Sequence, residues 1–109
     1  MPQATFVQEG MSVDYTPGAD VAAGDVVVQG DLVAVAKTAI KAGALGSLAV
    51  AGVFDFARTG GSVYTVGTIL FWDDTANVVT ATASGNKQLG KTVKLSTPSE
   101  ATARVRLSQ

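Results

Sequence analysis

Leu48-Ala-Val-Ala-Gly-Val-Phe-Asp-Phe-Ala-Arg58, Thr59-Gly-Gly-Ser62, Val63-Tyr-Thr-Val-Gly-Thr-Ile-Leu-Phe-Trp-Asp-Asp74: the reading of this stretch decides the fold. Its two apolar runs are rich in Val, Ile, Phe, Tyr and Trp and end at Gly-Gly or Asp-Asp, the composition of strands bounded by turns. Phe54, Phe56, Phe71 and Trp72 are four of the chain's seven aromatic residues. Flat rings bury more apolar area than any other side chain, so the core is expected to condense here. The reading is two strands joined by a glycine loop.

Working outward, residues 4–8 and 11–16 fit short strands around a Glu9-Gly10 turn, with Pro17-Gly18 stopping the second. The first eight residues fit a loose N-terminal arm equally well. Residues 25–28 and 31–36 are Val-rich and separated by Gln29-Gly30, which predicts a hairpin, because glycine accepts positive φ at little steric cost. Val26, Val27 and Val28 run without alternation, as in a strand covered on both faces. Residues 34–44 are rich in Ala and Lys, but Thr38 and Ile40 are β-branched and Gly43 and Gly46 interrupt them, so no helix is expected. Residues 78–82 and a segment from Gln88 continue the β pattern. The closing run alternates, with Ala103, Val105 and Leu107 facing a core and Thr102, Arg104 and Arg106 facing out. Turn signals recur every 8 to 12 residues or so, which predicts an all-β fold of short strands, a small barrel or a sandwich.

A chain of 109 residues fits one domain, residues 1–109, able to bury roughly 65% of its unfolded surface. Hydrophobic residues make up 47% and charged residues 16%, against about 25% charged in an average soluble domain, so part of the surface is expected to meet something other than water. The net charge of −1 supplies no field for nucleic acid or anionic lipid. Having neither cysteine nor histidine, the chain lacks disulfides, thiol nucleophiles and the commonest neutral-pH base and metal ligand. The start lacks the basic and apolar regions of a signal peptide, and no apolar run reaches the ~18 residues of a membrane span. The expectation is an unexported chain with no membrane and no nucleic-acid partner, no metal, no cofactor and no enzymatic activity.

Gly85-Asn-Lys-Gln-Leu-Gly-Lys-Thr92 satisfies G-x-x-x-x-G-K-[ST], the phosphate-cradling loop of nucleotide-binding proteins. Such a loop needs a helix opening at Lys91-Thr92. Here Val93-Lys-Leu-Ser-Thr-Pro98 alternates and meets proline six residues after Thr92, so a glycine-bounded turn leading into a strand is expected instead. Adjacent Asp73 and Asp74 point to opposite faces of a strand and read, with Thr75 and Asn77, as turn formers. Trp72, inside Ile-Leu-Phe-Trp, reads as core. An exposed Trp72 beside Gly60-Gly61 would instead suit an adhesion or carbohydrate-binding module.

Taken together, Phe6-Val-Gln-Glu-Gly10, Gly24-Asp-Val-Val-Val28, Gly30-Asp-Leu-Val-Ala-Val-Ala36, Gly52-Val-Phe-Asp-Phe-Ala-Arg58, Leu70-Phe-Trp-Asp-Asp74 and Ala103-Arg-Val-Arg-Leu107 resemble the DUF2190 family of tailed-phage and prophage capsid decoration, or cement, proteins. Members of that family have also been labelled RecA/RadA-like recombinases, which the proline after Thr92 argues against. The resemblance implies a β-rich structural protein of the virion. It would be made in the host cytoplasm and sit as a homotrimer on the outer capsid surface, where it clamps major capsid protein subunits of the expanded shell. It further implies that an N-terminal arm, with Phe6, Val7, Gln8 and Glu9 as contact residues, lies against the capsid.

Overall fold

The computed structural model describes Gln3 and residues 11–108, and the expected arm contacts Phe6, Val7, Gln8 and Glu9 lie outside the described residues. Nine strands carry the described chain: β1 (Ser12–Tyr15), β2 (Val26–Gln29), β3 (Leu32–Val35), β4 (Gly46–Ala49), β5 (Gly52–Ala57), β6 (Ile69–Asp73), β7 (Val78–Thr80), β8 (Lys87–Thr92) and β9 (Thr102–Leu107). No helix occurs among the described residues. Residues 34–44 instead leave β3, pair Ile40 with Val21 in an isolated bridge, and turn at Gly43, whose φ of 77° suits glycine.

The strands segregate by chain order. Those from β1 to β4 build a four-stranded sheet in the order β1-β4-β3-β2, and those from β5 to β9 a five-stranded sheet in the order β5-β9-β8-β6-β7. All ladders are antiparallel. Of the two expected architectures, the sandwich-like one holds and the closed barrel does not. The five-stranded sheet nonetheless curls far enough for Arg58, at the end of β5, to form a parallel bridge with Val79 of β7.

The opening stretch divides differently from its sequence reading. Its first run is not one strand: the chain leaves the four-stranded sheet after Ala49, crosses at Val50-Ala51, and enters the other sheet at Gly52. Gly52 has a φ of 122°, a conformation that side chains with a Cβ rarely adopt. The second run becomes β6 only from Ile69. Before it, Tyr64 bridges Ser96 in a loop, and β9 and β8 separate β5 from β6. Aromatic and β-branched content marks what can be strand, but not where a strand changes sheet.

Val33, Val35, Phe56, Leu70, Trp72, Val79, Leu89, Ala103, Val105 and Leu107 form the main core, with Val26 and Val28 packed against it. Phe56 stacks at a tilt on Trp72, with ring centroids 6.1 Å apart. Burying each of the larger aliphatic side chains stabilises the fold by roughly 1.5–3 kcal/mol. The other face of the four-stranded sheet carries a second cluster of Ala34, Ala36, Ile40 and Leu48, against which Val13, Tyr15, Val21 and Val27 pack. Val26, Val27 and Val28 thus face apolar surroundings on both sides, as their unbroken run predicts. On β9 the predicted alternation holds, with Ala103, Val105 and Leu107 buried and Thr102, Arg104 and Arg106 exposed.

Candidate interaction surface

The nucleotide-loop pattern dissolves into structural duties. Gly85 lies in a turn at a φ of 77°, and β8 begins at Lys87, so a strand stands where a phosphate-binding helix would have to open. Gly90 faces the β9 backbone so closely that a Cβ there would sit 1.9 Å from the Arg106 carbonyl oxygen. Thr92 is buried and its hydroxyl donates to the Thr65 carbonyl at 2.6 Å while accepting the Thr68 N–H at 3.1 Å, which fastens the loop ahead of β6. Only Lys91 of the four signature residues is left exposed without such a task.

The acidic pair behaves as its turn chemistry predicts. Asp73 accepts the backbone N–H groups of Thr75 and Ala76 at 3.0 and 3.1 Å, and Asn77 takes a φ of 57° to close the β6–β7 turn. Asp74 accepts the indole N–H of Trp72 at 3.1 Å. Trp72 itself is 4% exposed, so the ring needed for sugar stacking is unavailable and the carbohydrate-binding reading loses its platform. An open cleft of about 560 Å³ is lined by Val26, Val35, Phe54, Phe56 and Trp72 among others. No group of three or more Asp, Glu, His or Cys among the described residues is placed to hold a metal ion.

Arg58 is a residue whose role the sequence reading missed. It is 6% exposed, and its guanidinium lies 4.4 Å from the Tyr64 ring centroid. It donates to three carbonyl oxygens: Thr59 at 3.3 Å, Thr97 at 3.4 Å, and Ser62. The cation therefore pins the glycine loop and the loop before β9 onto the tyrosine. Its position at the end of an apolar run beside Gly60-Gly61 was visible, but the carbonyl cage was not, because its acceptors come from separate loops.

The outer face of the five-stranded sheet mixes exposed apolar and charged side chains. Cross-strand pairing places Ile69, Lys91, Arg106 and Val53 side by side in one row over β6, β8, β9 and β5. In the next row Asp55 faces Arg104, whose Nε and Nη2 donate to the two carboxylate oxygens at 2.9 and 3.2 Å. Val93 follows, its N–H donating to the Arg104 carbonyl at 3.0 Å. Val53, Ile69 and Val93 are 54%, 45% and 42% exposed. Among the described residues this face carries no nucleophile with a base beside it.

The body is all-β and sandwich-like, with apolar and charged side chains mingled on an open sheet face. The chain matches the phage cement protein family model over residues 7–107 and belongs to that family, which gives it a structural role associated with the phage capsid. No curated protein and no solved structure matches it with significance.

Proposed function

We propose that this chain is a head decoration protein that binds the outer capsid surface as a homotrimer, contacts the major capsid protein, and stabilises the expanded shell. The observation carrying this reading is the family match, which spans nearly the whole chain. The exposed apolar side chains agree with it. Internal DNA pressure pushes a shell outward. A protein bridging subunits favours the expanded lattice by as much as it binds that lattice better than the compact one, and no bond need be made or broken. Residues 6–9 are proposed to order against the capsid, with main-chain hydrogen bonds supplying much of the affinity.

Expanded heads prepared with and without the protein test the reading. Decorated heads are expected to rupture at a higher temperature and to show density for the protein on their outer surface. Bare density and an unchanged rupture temperature would overturn it. Removing residues 1–8 is expected to weaken head binding and leave the β body folded.

A further inference from the structure

Of the carboxylates among the described residues, most are already engaged within the chain. Asp31 meets Lys87 at 2.6 Å and Asp55 holds Arg104, while Asp20, Asp25, Asp73 and Asp74 accept N–H groups of Ala42, Ala22, Thr75 and Trp72 respectively. The cations of the five-stranded sheet are not balanced in the same way. Lys91 and Arg106 stand directly opposite each other on the β8–β9 ladder, and neither makes an ion pair among the described residues. Like charges directly opposite on a ladder repel, a cost that burial or turn chemistry does not explain here.

We infer that this face is the docking surface for a capsid-protein patch bearing two or more carboxylates among apolar side chains, with Lys91 and Arg106 as its central contacts. The inference rests on the decoration reading for the partner's identity, and on the charge and packing of the face for its chemistry. Ile69 and Val53 flank the two cations on the same row, so a partner that covers the row removes apolar area from water as it supplies the missing anions. A phosphate polymer fits less well. The whole chain carries a net charge of −1, and phosphates would leave the valines and isoleucine wet.

Lys91→Glu separates the inference from a structural role for the lysine, because it places an anion opposite Arg106 inside the fold. The variant is expected to melt at or above the native temperature, followed through Trp72 emission, and to bind expanded shells of the accompanying capsid protein at least about tenfold more weakly in co-sedimentation. Arg106→Glu is expected to do the same. Lys37→Glu with Lys41→Glu, exposed beyond β3, is expected to bind as the native chain does. Native binding is expected to weaken as salt rises. Lys91→Glu and Arg106→Glu variants that fold and bind like the native chain would overturn the inference while leaving the decoration reading in place, as would displacement of the native chain from shells by duplex DNA. A native chain that binds no shell would remove both.

Discussion

At the scale of single residues, two side-chain positions hold the fold in ways that size alone would not suggest. Arg58 bonds to carbonyls from both loops and lies against Tyr64, so Arg58→Ala would remove three hydrogen bonds and the cation–π contact as well as open a gap. A loss of roughly 2–3 kcal/mol is expected in urea unfolding, and Arg58→Lys is expected to recover only part of it, since a compact ammonium lacks the flat, spread donor set that reaches separated carbonyls while stacking on Tyr64. Gly90 is set by the approach of two backbones. Gly90→Ala would drive a methyl into the Arg106 carbonyl, and β8 and β9 would have to part. That variant is expected to be recovered largely unfolded, seen as loss of the native far-ultraviolet spectrum. Gly90 was visible in the sequence for the wrong reason, as one letter of a phosphate-binding pattern. Its real constraint is a distance to a residue sixteen places away, which no local pattern encodes.

At the scale of strands, the Asp55–Arg104 pair ties β5 to β9 across the ladder. Arg104's hydrogen bonds hold the Asp55 carboxyl below its ordinary value against the opposing effect of desolvation, with lesser help from the charges of Arg104 and Lys94. Lys87 does the same to Asp31. Each contribution to stability is complete above the unfolded carboxylate value of about 4 and disappears as pH falls through the lowered folded value. Both groups are well exposed, so the effect is small and screened by salt. Urea titrations from about pH 6 down to about pH 2 are expected to show a shallower acid decline for Asp55→Asn than for the native chain, with the difference shrinking in high salt. Strand identity was largely legible: the β2–β3 hairpin, whose turn falls at Gly30-Asp31, one residue later than the expected Gln29-Gly30, the two-sided valines of β2, and the alternation of β9 follow from period and turn chemistry. The switch of sheets at Val50-Ala51 was not legible, because the residues on either side have the same apolar character and only Gly52 marks the corner.

For the whole molecule, the main core takes side chains from both sheets, with Val33 and Val35 of β3 packed among residues of the five-stranded sheet. A single domain is therefore expected to melt as one unit. Trp72 emission reports the five-stranded sheet and far-ultraviolet ellipticity reports both, and the two are expected to trace one coincident transition. Separate transitions would divide the chain at Ala51. The candidate site was only half legible at this scale. Outward-facing Arg104 and Arg106 followed from alternation, but their row with Lys91, Ile69 and Val53 depends on a strand order that no turn signal fixes.

The near-closure of the five-stranded sheet bears on how copies of the chain meet one another. A sheet rim with unpaired N–H and C=O groups is a template for runaway polymerisation. By drawing β5 and β7 together at Arg58 and Val79, the curl turns two rims toward each other. The outermost strands of the other sheet, β1 and β2, are only four residues long, which leaves little ladder for fibril growth.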